Sequence, residues 1–156
     1  MIGLSSAIVI KINKIKNIIQ TKKRHLLDAF SAIKLKPETV KLIREGKIAK
    51  GDPLYTAKIA GILAAKKTSE LIPLCHPLPL TSVEVEAKVL GNTTVEVSST
   101  VKAKAQTGVE MEALAAVSAG LLTVWDMTKQ YEKDANGQYP STAIENIHVV
   151  KKFKQV

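Results

Sequence analysis

The sequence predicts an α+β domain, with helices packed on one face of a mainly antiparallel sheet. Three observations predict it. Val83, Val85, Ala87 and Val89 alternate with Glu84, Glu86 and Lys88, and Val95, Val97, Ser99 and Val101 resume the alternation beyond Gly91-Asn92. A period of two on either side of a turn pair describes an antiparallel hairpin, although Gly-Asn is the reverse of the strongest turn order. Leu114, Val117, Leu121, Leu122 and Trp125 recur at helical spacing between about Val109 and Tyr131, the pattern of a core helix. Asp52-Pro53 is a helix start: the carboxylate caps orphan amides, and proline at the first position loses no useful donor.

Along the chain, residues 1–35 stay open. Ile8, Ile10 and Ile12 alternate like a strand, whereas Ile12, Ile15 and Ile19 repeat like a helix face. This stretch is set apart as a divergent N-terminal segment or arm, ahead of one α+β domain over residues 36–156. Pro37 occupies the first turn of a short helix, Glu38 favours its positive end, Val40, Leu42 and Ile43 supply its apolar side, and Gly46 marks its end. The helix from Asp52 should run to about Thr68, and Ala57, Ala60, Gly61, Ala64 and Ala65 give it a small-sided surface suited to close packing.

Next comes Glu70-Leu-Ile-Pro-Leu-Cys-His-Pro-Leu-Pro-Leu80. Its prolines fix φ, remove donors and push the preceding residues towards extended geometry, so a rigid, buried connector holding Cys75-His76 is expected. Taken alone, it reads either as a linker with a structural His76 or as a site. The second hairpin strand runs to roughly Ala105 and Gly108 ends it. After the long helix, Asp134-Ala-Asn-Gly137 and Pro140 break the chain, and Ile144, Ile147, Val149 and Val150 predict a last strand before a basic tail.

At 156 residues, 46% of them hydrophobic, the chain is sized for one core. Its single cysteine, Cys75, excludes an intrachain disulfide and a multi-cysteine zinc site and fits a reducing, cytoplasmic compartment. No apolar run approaches the roughly 20 residues that span a bilayer, and Leu4 to Ile10 lacks the basic flank of a signal peptide. The net charge of +9 draws polyanions such as nucleic acid or a nucleoside triphosphate. Aromatics are only 4% of residues and are not interleaved with basic ones, which counts against stacking of exposed bases. A basic α+β nucleic-acid-binding module therefore stands as the alternative to an enzyme, with a purely structural oligomer as a third reading.

Two groups on the long helix could carry chemistry. Glu110 and Glu112 stand at its start, where carboxylates complement the dipole; Asp126 stands near its negative end, where an acid gains nothing from it. Lys129 follows Asp126 by three residues, on the same face. The fourteen residues from Glu112 to Asp126 span about 21 Å of helix, with an angular offset of only about 40°. One pocket in one subunit cannot easily hold both groups, but an antiparallel copy of the helix across a two-fold would bring them together. Lys50-Gly51, just before the Asp52-Pro53 start, reads as a phosphate cradle of lysine and free amides, or as a plain beginning of a helix.

The runs Gly108-Val-Glu-Met-Glu-Ala-Leu114, Trp125-Asp-Met-Thr-Lys129, Leu71-Ile-Pro-Leu-Cys-His-Pro77 and Lys50-Gly-Asp52 resemble those of the molybdenum cofactor biosynthesis protein C family, in family order, over approximately Lys36 to Lys152. The resemblance implies a ferredoxin-like fold and a lyase that turns a cyclised dihydro-GTP into cyclic pyranopterin monophosphate and releases pyrophosphate. It also implies a homohexamer, a trimer of dimers with sites between subunits, and no nucleic-acid or membrane partner. Asp126 would be the catalytic residue, acting as a general base, with Lys50 and Lys129 supplying protons or stabilising phosphate charge. Leu74, Cys75, His76, Glu110, Met111 and Glu112 would bind substrate, with Lys66 and Lys152 as candidates for its triphosphate. No resident metal or cofactor is implied, and a magnesium requirement is left open. Gln106 stands where the family usually has lysine, and His148 where arginine is common.

Overall fold

The computed structural model describes residues 23–155. Ile8 to Ile19, with their ambiguous period, lie outside the described residues. The elements are β1 (Lys23–Lys34), α1 (Pro37–Arg44), α2 (Pro53–Lys66), α3 (Thr68–Leu71), β2 (Leu80–Leu90), β3 (Thr94–Ala105), α4 (Glu110–Glu132) and β4 (Ala143–Gln155). The four strands form one sheet in the order β2-β3-β1-β4, every neighbouring pair antiparallel. The α+β expectation holds.

β1 is an inner strand of that sheet, so the folded domain reaches back to Lys23, ahead of the expected boundary at residue 36. Its inward residues His25, Leu27, Ala29, Ser31 and Ile33 are buried, while Arg24, Leu26, Asp28 and Phe30 point to the other face. β4 also runs further than expected, because the basic residues after Val150 continue to pair with β1. Within β4, Asn146 takes φ 55° beside irregularities in the pairing with β1, and Ile147, Val149 and Val150 are exposed.

α2 and α4 cover one face of the sheet. Val85, Val97 and Val101 pack beneath Ala57, Ala113, Ala116, Val117 and Leu121, a core of small and branched side chains. Two glycines let the helices and the sheet close up. A Cβ on Gly61 would lie 2.8 Å from the carbonyl oxygen of Ala116, and one on Gly120 would lie 3.3 Å from that of Ala57 and 3.0 Å from Val97. The pairing of 61 with 116 and 57 with 120 makes the two helices antiparallel. The small-sided surface of α2 thus serves the close packing that its sequence predicts.

The proline-rich connector departs from expectation in two ways. Glu70 and Leu71 belong to the short α3, so helix enters its first two residues, and the remainder up to Pro79 is irregular. It is also largely exposed rather than buried: Leu74 is 93% accessible in the single chain. Its prolines exclude backbone ladders, and only Leu78 packs against the core while His76 and Pro79 line a groove with the end of β3.

Candidate active site

The sequence-predicted residues fall into two groups at opposite ends of α4, which runs unbroken from Glu110 to Glu132. At the C-terminal end, Asp126 Oδ2 lies 2.7 Å from Lys50 Nζ and Oδ1 lies 2.7 Å from Lys129 Nζ. Lys50 Nζ also donates to the backbone oxygen of Asp126 at 3.1 Å. Hydrogen bonds from Lys129 and then Lys50 hold the Asp126 carboxyl at about 2, well below the usual carboxylate range. The same contact raises Lys129. One carboxylate thus keeps two ammonium groups together, and with Lys129 it lines an open depression edged by Leu122 and Trp125.

Local structure explains how Lys50 reaches a residue so distant in sequence. Ile48 is buried and anchors the loop after α1. The backbone N–H of Ala49 donates to the Tyr131 hydroxyl oxygen at 2.9 Å, tying that loop to the last turn of α4. Gly51 then turns the chain at φ 102°, a conformation that favours glycine. Asp52 Oδ1 accepts from Leu54 and Tyr55 N–H at 2.9 and 3.1 Å. Those amides are therefore taken, and the lysine of the expected phosphate cradle is itself paired with Asp126.

Glu132 secures the same end of α4. It is fully buried, accepts from the Lys36 N–H at 3.1 and 3.2 Å and from the Thr142 hydroxyl at 2.6 Å. A buried carboxylate with two donors, one of them shared between its oxygens, ties α4 to the chain entering α1 and to the approach to β4.

At the N-terminal end, Glu112 is only 3% exposed and burial raises its pKa. The Cys75 thiol approaches its carboxylate at 3.9 Å. Burial and then Glu112 push that thiol up, which disfavours the nucleophilic thiolate. Burial also pushes Glu110 up, but the hydrogen bond and charge of Lys152 outweigh it and leave its pKa lowered. Met111, between the two acids, is exposed, as is Leu74. His76 borders a groove of about 480 Å³ with Leu78, Pro79, Lys104, Gln106 and Thr107. Lys66, in the last turn of α2, edges a separate depression beside Leu80 to Val83. His148 lies elsewhere, edge-on to Phe30 at 5.7 Å.

His25 is a site neighbour that sequence reasoning missed. Its Nε2 lies 3.2 Å from the Ala105 carbonyl oxygen, which can only accept, so Nε2 carries the proton. That bond fixes the end of β3, from which the chain passes to Glu110, and His25 helps to lower Glu110. Its Nδ1 is buried without a partner among the described residues. A histidine on the inward-facing alternation of β1 was the available signal, but the strand itself went unread.

Among the described residues no cluster of three or more His, Cys, Asp or Glu is arranged to hold a metal ion. None of the described helices is long and apolar enough to cross a membrane.

Fold and site together define an α+β protein with a lysine-clamped aspartate at one end of its main helix and paired glutamates at the other. The chain belongs to the MoaC family, whose model matches residues 12–154. It is 62% identical over 122 residues to a probable cyclic pyranopterin monophosphate synthase of Pyrococcus horikoshii, covering 78% of this chain and 76% of that protein. A protein of the same name from Sulfurisphaera tokodaii is 58% identical over 122 residues, covering 78% and 80%. The counterpart in Saccharolobus solfataricus is 55% identical over 128 residues, covering 82% and 85%.

Proposed function

We propose that this chain is a cyclic pyranopterin monophosphate synthase of molybdenum cofactor biosynthesis, a cytoplasmic lyase that rearranges the cyclised dihydro-GTP and releases pyrophosphate. The observation that carries the reading is the Asp126 carboxylate held between Lys50 and Lys129 in a chain of the MoaC family. Opening a purine ring, rebuilding it as a pterin and closing a cyclic phosphate all require proton transfers beside phosphate oxygens. In the clamped state Asp126 is ionised but a weak base. A substrate phosphate that draws the two lysines away raises its proton affinity where a proton must be removed, while the lysines stabilise charge on the phosphate. His76 and Glu112 hold the base and ribose, and Leu74, Cys75, Glu110 and Met111 line that half, with Lys66 and Lys152 serving the triphosphate.

The working unit is a homo-oligomer, a hexamer built as a trimer of dimers, with each site shared between two subunits. The length of α4 supports sharing, because Glu112 and Asp126 stand about 21 Å apart along it. Tyr55, Ile59 and Leu63 on α2 and Leu122 on α4 form exposed apolar surface suited to a partner. With α1 to α3 together forming the crossover from β1 to β2, the β-α-β-β-α-β succession and the strand order β2-β3-β1-β4 support the ferredoxin-like assignment. Incubating the purified chain with the cyclised nucleotide should release pyrophosphate and form the pterin product. No turnover under conditions that support an authentic synthase would refute the reading.

A further inference from the structure

The chain between α4 and β4 is held at both ends. Glu132 accepts from the Thr142 hydroxyl at 2.6 Å, and Lys36 Nζ donates to the Lys133 carbonyl oxygen at 3.1 Å. Between them Asp134 closes a tight turn. Its Oδ1 accepts from the N–H groups of Asn136 at 2.8 Å and Gln138 at 2.9 Å, and its own N–H donates to the Gln138 carbonyl oxygen at 2.9 Å. Gly137 carries the reversal at φ 75°. Tyr139 leaves this turn, and Pro140 after it biases its backbone towards extended geometry. A closed turn and a following proline thus aim one aromatic side chain.

Tyr139 meets Trp125 edge to face, with ring centroids 5.8 Å apart and planes at 66°, an arrangement that aromatic pairs favour. Trp125 stands four residues before Lys129 on α4, so the two side chains are neighbours on one face, and both line the open depression beside Asp126. Asp126 grips only the tip of Lys129, at 2.7 Å; a flexible four-carbon stem needs a wall to keep that tip in one place. After the hydrogen bond and charge of Asp126, which raise Lys129 most, the charge of Tyr139 adds to the rise, so its phenol lies near the ammonium group. We infer that Tyr139 is a positioning residue of the aspartate and lysine site: its ring fixes the Trp125 indole, and the indole keeps Lys129 directed at Asp126. The reaction that this serves rests on the synthase reading, whereas the positioning itself is testable without turnover.

Trp125 is the single tryptophan of the chain, so emission and acrylamide quenching of the full-length protein report on it alone. Tyr139→Ala should shift the emission and raise the quenching, and Tyr139→Phe should leave both as in the wild type. Asp134→Ala, which opens the turn without touching the ring pair, should move both in the direction of Tyr139→Ala. Amine acetylation read by mass spectrometry, with the exposed Lys41 as internal reference, should label Lys129 faster in the two alanine variants only. With the cyclised nucleotide, Tyr139→Ala should lower kcat about tenfold or more with KM nearly unchanged, and Tyr139→Phe should restore it. Thermal unfolding checks that each variant is folded; should Tyr139→Ala fail to fold, Asp134→Ala carries the same test. Unchanged emission or Lys129 labelling in the alanine variants, or a wild-type kcat in Tyr139→Ala, would overturn the inference. An equal loss in Tyr139→Phe would make the hydroxyl the active part and overturn the role of the ring. A wild type that turns over nothing refutes the synthase reading, and labelling and emission still decide the positioning.

Discussion

A site divided between two subunits makes a quantitative prediction for mixed variants. Glu112→Gln disables the glutamate half and Asp126→Asn the lysine-clamped half, and each homogeneous variant should be inactive. α4 is continuous and keeps the halves about 21 Å apart, so under the proposed sharing each site would take Glu112 from one subunit and Asp126 from its partner. In a dimer carrying one variant of each kind, one site contains both substitutions and the other contains none. Random exchange at equal concentrations makes half of the dimers mixed, so about one quarter of wild-type activity should return. The assay is pyrophosphate release after reversible dissociation and mixing, with exchange verified by mass spectrometry of differently tagged subunits. No recovered activity despite proven exchange would refute the shared site.

Three further predictions concern packing, positioning and ionisation. Gly61→Ala places a Cβ 2.8 Å from the Ala116 carbonyl oxygen and 3.0 Å from a Val85 methyl; it should destabilise the fold by about 1–2 kcal/mol, overpacking offset in part by helix propensity, and an unchanged or raised denaturation midpoint would contradict the close helix contact. Tyr131→Phe removes the acceptor of the Ala49 N–H and loosens the Lys50 loop; kcat should fall several-fold with global stability changed by about 1 kcal/mol, and an unchanged kcat would show that the tie does not position Lys50. Glu112→Gln should raise stability at neutral pH but not at acid pH. Burial raises the folded-state pKa of Glu112, so folding favours its protonated form and the wild type loses stability as pH rises from the ordinary carboxylate value through the raised one; wild type and variant losing stability equally over that window would contradict this.

Legibility in the sequence followed the contrast between the two faces of each element. β2 and β3 set valines against charged or hydroxyl residues, Asp52-Pro53 marks a cap locally, and α4 carries a long helical repeat, so all three could be read. β1 could not, because its outward residues include Leu26, Phe30 and Ala32 while its inward ones include His25 and Ser31. Without contrast between faces, only pairing with β3 and β4 identifies the strand. The same blindness hid His25. Motif residues were visible singly, but the contact of Lys50 with Asp126 depends on the Tyr131 tie across the fold, which no local pattern encodes. The prolines announced an irregular segment correctly, yet its exposure depends on what neighbours it, and prolines fix only backbone geometry.

Proton transfer at Asp126 is tested by single-turnover kinetics of Asp126→Asn with the cyclised nucleotide, beside the wild type at saturating substrate. Asparagine keeps the size of the side chain but removes both its charge and its capacity to take a proton. A general base at Asp126 predicts a rate loss of about 10²–10⁴-fold, with substrate still bound and the oligomer intact by light scattering. Pterin formation at the wild-type rate would contradict it.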